Sequence, residues 1–191
     1  IDRFLDANDL TDKALYDEFN RILDVQSFID STCMHIYLAD VDYQERWNNF
    51  YWHSIIQENN DYGDTRWRLG LYDMDLQWTS IKEQFSVEES YMINPFTMYG
   101  HYQNSPITNW KIYSNLRKNQ EFCKQFVITF MDLVNSVFSE ESMNLVFSEV
   151  GSSRTIDKFF ANRSTYVVKY MAEEFELTGS QETVTLTSNL S

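Results

Sequence analysis

Apolar residues at helical spacing run through the second half of the chain and commit it to a helical body. After Leu116, the series Phe122, Phe126, Phe130, Leu133, Val134 and Val137 recurs at the three- and four-residue steps that place side chains on one helix face. A shorter helix is predicted over Glu140–Phe147. A third runs from Ile156 to Phe175, with Phe159, Phe160, Val167, Tyr170 and Met171 turned inward. Only five glycines and two prolines punctuate the 191 residues, so few positions can interrupt these runs. With 43% hydrophobic residues the chain has enough apolar material for one core of domain size.

The first half mixes two periods. From Thr11 to Leu23, Leu15, Phe19, Ile22 and Leu23 give a helix with Thr11 as its cap. Ser27 is placed as the cap of a second, in which Phe28, Ile29, Cys33, Ile36 and Tyr37 share a face, ending near Leu38. The polar stretch ADVDYQERWNN then breaks the periodicity. FYWHSII and RWRLGLY, joined by the turn-forming QENNDYGDT, read as a hairpin, and DMD, Asp73 to Asp75, stands directly behind its second strand. Between Ile81 and Ile107, Pro95 and Pro106 limit regular structure to loops and short helical turns. After Leu177 the alternation in TVTLT marks a tail or the start of a β module. The predicted fold is therefore α+β and mainly helical, an acidic hairpin packed on a helical base over residues 1–177, with residues 178–191 separate.

Twenty-nine acidic against fifteen basic residues give a formal charge of −14, which repels nucleic-acid phosphates and anionic lipid. Such a surface usually serves solubility, and it also suits a basic polypeptide or divalent cations. No apolar run approaches the ~20 residues of a membrane span, and the opening residues lack a signal-peptide layout. Because Ile1 opens without Met, the chain is read as a piece of something longer. Cys33 and Cys123 sit in apolar helical contexts and are expected to be buried thiols. His35, His53 and His101 lack ligand spacing and are taken as structural or surface residues. Trp47, Trp52, Trp67 and Trp78 are assigned to packing, and the glycosylation pattern Asn162–Arg163–Ser164 falls within a helix, where it is coincidental.

A helix leading into a polar loop with an Asp and then an Asn, followed by a hairpin that delivers another Asp, is the order of parts in the catalytic lobe of protein kinases. Phosphoryl transfer needs this grouping because hard Mg²⁺ prefers oxygen ligands and the moving phosphoryl charge must be neutralised in place. The candidates are Asp42, Asn48 or Asn49, Asp73 and Asp75. By composition alone, a pair such as Asp73 and Asp75 is more often a solvated strand end than a metal site.

In order along the chain, LADVDYQERWNNFYW, WRLGLYDMDLQW, NLRKNQEFCKQFVITFMDLVNSVFS and FFANRSTYVVKYMAEEFEL resemble successive blocks of the CotH kinase family, from about Val25 to Leu177. The resemblance implies the C-terminal lobe of an atypical protein kinase that uses ATP with Mg²⁺ or Mn²⁺. It also implies phosphate transfer to Ser or Thr of protein substrates, the known ones being basic, Ser-containing bacterial coat proteins, at the spore coat or cell surface. On the same basis Asp42 is the catalytic residue, Asn49 and Asp73 bind metal and nucleotide, and Asp75 is a further metal ligand. The chain departs from the family at three places. Asp40 stands where members often carry Asn, the interval from Asp42 to Asn49 is longer than usual, and DMDLQW lacks the glycine that often follows the acidic pair. No counterpart of the nucleotide-gripping N-terminal lobe is present, so this chain by itself is expected to have little or no kinase activity. Two other classes stay open: a noncatalytic coat or cell-surface interaction protein retaining the scaffold, and a metal-dependent phosphoester hydrolase, which would release free phosphate instead of labelling a polypeptide.

Overall fold

Short polar side chains set most helix starts in this chain. The computed structural model describes residues 1–40, 51–57, 59–72, 74, 86–97 and 108–179. Helix α1 spans Asp2–Ala7, a helix the periodicity did not announce. Asp12, not Thr11, caps α2 (Lys13–Ile22) by accepting from the backbone N–H groups of Ala14 and Leu15. Likewise Asp24, not Ser27, caps α3 (Val25–Tyr37), accepting from Ser27 N–H. The Ser27 hydroxyl is committed elsewhere: it accepts from Leu69 N–H at 3.1 Å and lies 3.3 Å from Leu69 O.

The hairpin is present as two short antiparallel strands, β1 (Tyr51–His53) and β2 (Arg68–Gly70), in the register Tyr51 to Gly70, Trp52 to Leu69 and His53 to Arg68. Its connection needs Gly63, where an added Cβ would lie 1.9 Å from the Gln57 carbonyl oxygen. A 3-10 helix, Val87–Met92, follows. The helix expected to run on from Leu116 is two: α4 (Thr108–Leu116) and α5 (Gln120–Asn135). Asn119 makes the break. Its Oδ1 caps α5 through Glu121 and Phe122, and its Nδ2 donates 2.7 Å to Leu10 O, a tertiary tie that a continuous helix would lose. Ser139 and Ser153 cap α6 (Glu140–Val150) and α7 (Arg154–Glu174).

The core lies between α3, α5 and α7, with β2 against α3 and α1 against α4. Phe19, Phe28, Ile29, Phe122, Phe126, Phe130, Val167 and Met171 are buried there. Tyr37 stacks on Phe138 at 3.8 Å between centroids, and Phe126 on Phe175 at 5.2 Å. A smaller cluster joins Ala39, Tyr91, Ile93 and Phe159. The architecture is thus mainly helical α+β. Cys33 is buried, and burial pushes its thiol pKa well up. Cys123 is only half-buried, donating to Arg117 O at 3.1 Å. Trp52 packs partly against the core, whereas Trp67, just before β2, is 44% exposed while the next two residues, Arg68 and Leu69, are buried. Trp47, Trp78, His101 and the segment from residue 180 lie outside the described residues. Among the described residues no helix is long and apolar enough to cross a membrane.

Candidate functional site

Pairing Tyr51 with Gly70 brings the chain into β1 and out of β2 at the same end of the sheet. Asn49 lies two positions before that pair and Asp73 three positions after it. Asp42, Asn48, Asn49, Asp73 and Asp75 themselves all fall outside the described residues. The structure describes the three backbone segments that flank them. Among the described residues no cluster of three or more His, Cys, Asp or Glu side chains forms a rival metal site.

The first flank is the end of α3. Asp40 N–H donates to His35 O at 3.0 Å and Ala39 N–H to Ile36 O at 3.3 Å, with Ala39 at φ +53, the pattern of a Schellman C-cap. A left-handed backbone at a residue other than glycine is strained by about 1 kcal/mol. Burial of Ala39 and the hydrogen bonds on either side hold it. The Asp40 carboxylate accepts from His35 Nδ1 at 2.7 Å, and both side chains are 1% exposed. Asp40 therefore finishes the helix two residues before Asp42.

The second flank is β2. Asp24 N–H donates to Trp67 O and Trp67 N–H to Ile22 O, each at 2.9 Å, which lays the α2–α3 junction along the strand entrance. Arg68, buried, places Nη2 3.0 Å from Asp24 and 2.9 Å from Asp64. Arg66 reaches the same carboxylates at 3.1 and 2.6 Å. The hydrogen bond from Arg68, and then those from Arg66, hold the Asp64 carboxyl far below the usual carboxylate range against partial burial. A cavity of about 640 Å³ opens beside this network, lined by Asp24, Asp30, Arg66, Arg68, Leu69 and Leu71. Its opposite charges are balanced among themselves.

The third flank is the end of the 3-10 helix, where α7 takes up three successive carbonyls. Arg163 Nη1 donates to Tyr91 O at 2.9 Å and to Ile93 O at 2.7 Å, while Tyr170 Oη donates to Met92 O at 2.8 Å. The same guanidinium donates through Nε to Tyr37 O and through Nη2 to Ile36 O, both at 2.7 Å. Arg163 has no exposed surface, and burial pushes its pKa down to about 9, so it stays charged at neutral pH.

Sequence reasoning passed over both Arg163 and the His35–Asp40 pair. Arg163 did carry a legible signal: it sits four residues after Phe159 and four before Val167, a charge on the apolar stripe. In the apparent glycosylation pattern every side chain is engaged, with Asn162 donating to Lys158 O, Arg163 buried, and Ser164 Oγ 2.9 Å from Tyr37 Oη.

The family model described as CotH kinase protein matches residues 2–170, and the chain belongs to that family. The match takes in α1 and α2 as well as the blocks that begin at Val25. No curated protein and no solved structure matches the chain.

Proposed function

We propose that the protein is a metal-dependent protein kinase that transfers the γ-phosphate of ATP to Ser or Thr of a protein substrate. Membership of the CotH kinase family over residues 2–170 carries this proposal. The register that brings the approach to Asn49 and the departure to Asp73 to one end of the hairpin agrees with it. In the proposed assignment Asp42 accepts the proton of the attacking hydroxyl. The hydroxyl oxygen then bonds to the γ-phosphorus as the bond to the bridging oxygen breaks, and ADP leaves. Asn49, Asp73 and Asp75 form an all-oxygen donor set, which suits Mg²⁺ or Mn²⁺ better than a softer metal. Bound there, the divalent ion would neutralise the triphosphate and the transferring phosphoryl group. The charge of −14 favours a basic substrate protein.

The long interval between Asp42 and Asn49 favours a second reading, a noncatalytic coat or cell-surface protein that keeps the scaffold. Titration of ATP with Mg²⁺ or Mn²⁺ into the full-length protein separates the two. Metal-dependent nucleotide binding that disappears in the double variant Asp73→Ala, Asp75→Ala supports the kinase. Absence of binding by the unmodified protein leaves the scaffold.

A further inference from the structure

Arg163 is an expensive way to pack a helix. Burying a cation is unfavourable unless dipoles or charges compensate it, and an apolar residue fills the same space without that cost. Phe159, Val167 and Met171 occupy the equivalent positions one and two turns away along α7. The compensation here comes from four backbone carbonyls, those of Ile36, Tyr37, Tyr91 and Ile93. Two of them belong to the last turn of α3, where helix carbonyls lack partners within the helix and carry its partial negative charge. The other two lie at the end of the 3-10 helix and just beyond it. A planar guanidinium presents donors in several fixed directions, so one side chain bridges two backbone segments that are far apart in sequence.

These two segments flank the acidic residues. Tyr37 precedes Asp42 by five residues, and Tyr91 follows Asp75 by sixteen. We propose that Arg163 is a positioning residue for phosphoryl transfer: by clamping the last turn of α3 to residues 91–93 it sets where the chain enters residues 41–50 relative to where it emerges after residue 85. The inference rests on the kinase reading above. Tyr170 assists through Met92 O, and Tyr37 Oη with Ser164 Oγ ties α7 to α3 a second time.

Arg163→Lys tests this in the full-length protein. A lysine keeps the charge, but its single ammonium cannot span both segments. Expected is a folded variant whose kcat, per folded molecule, falls about 10- to 100-fold, because small misplacements of reacting groups are costly. The KM for ATP should stay within about threefold, as binding contacts are kept. Phe122→Leu, a core change on α5 away from this clamp, serves as the stability control and should lower Tm with kcat unchanged. If Arg163→Lys behaves like that control, Arg163 only packs the interior and the inference is overturned. Should Arg163→Lys fail to fold, Tyr170→Phe decides, since it removes only the bond to Met92. A several-fold lower kcat in that variant supports the clamp, and an unchanged kcat overturns it. Absence of transfer by the unmodified protein would sink the kinase reading itself, and is seen before any variant is made.

Discussion

His35 and Asp40 close the end of α3 with a buried hydrogen bond of 2.7 Å, and two substitutions separate the charge of Asp40 from its role as acceptor. Asp40→Ala should cost about 1–3 kcal/mol in denaturant unfolding, since it leaves a buried imidazole N–H without that acceptor. Asp40→Asn keeps an acceptor oxygen at the same place and should cost clearly less. Equal losses in the two variants would show that the charge matters more than the acceptor. Asp64 behaves differently because its carboxyl is held far below its ordinary range, first by Arg68. Its folded-state pKa lies below the unfolded value of about 4, so its contribution is complete above pH ~4 and is lost as pH falls through the folded value. Unfolding followed from pH 5 to pH 2 should show a smaller acid-induced loss in Asp64→Asn than in the unmodified protein. Parallel curves would contradict the assignment. Asp64 does not stand out in the sequence, being one acid among twenty-nine, whereas Arg163 marks itself only by lying on the apolar stripe of α7, inside a chance glycosylation pattern.

At the scale of elements, Ser27 joins α3 to β2. Ser27→Ala leaves the buried Leu69 N–H without its side-chain acceptor and should destabilise by about 1–3 kcal/mol, with faster hydrogen exchange at the Leu69 amide. Unchanged exchange there would show that the strand is held by its ladder alone. Periodicity made α2, α3, α5 and α7 legible, because Phe19, Phe28, Phe122, Phe126 and Phe159 recur at helical steps and all are buried. Caps were harder. Thr11 and Ser27 are cap-type residues one and three positions from the aspartates that do the capping, and only the three-dimensional arrangement shows that Ser27 spends its hydroxyl on a strand forty-two positions away. The break at Asn119 was invisible for a similar reason, since its partner, the Leu10 carbonyl, is 109 positions distant. Trp67 looked like core by type, yet it is its backbone that Ile22 and Asp24 engage, while the residue stays 44% exposed.

For the molecule as a whole, helices packed around an aromatic core hold a two-stranded hairpin whose chain ends point the same way, and the acidic residues proposed for phosphoryl transfer follow and precede those ends. The succession of helix α3 and hairpin was readable from the sequence, and the chain belongs to the CotH kinase family over residues 2–170, while the polar segment between them and the acidic pair behind the hairpin lie outside the described residues. The supports were legible only in part: Arg163 marks itself as a charge on the apolar stripe of α7, but the backbone carbonyls and amides that α7 and the α2–α3 junction bind carry no pattern in the sequence. Phosphoryl transfer to a polypeptide is the property that defines a protein kinase. The full-length protein, with γ-labelled ATP, Mg²⁺ or Mn²⁺ and a basic Ser-containing protein, is expected to label the polypeptide on Ser or Thr, with labelling abolished by Asp42→Asn and by the double variant Asp73→Ala, Asp75→Ala. Release of free phosphate with no labelled polypeptide, or labelling that survives those substitutions, would contradict it.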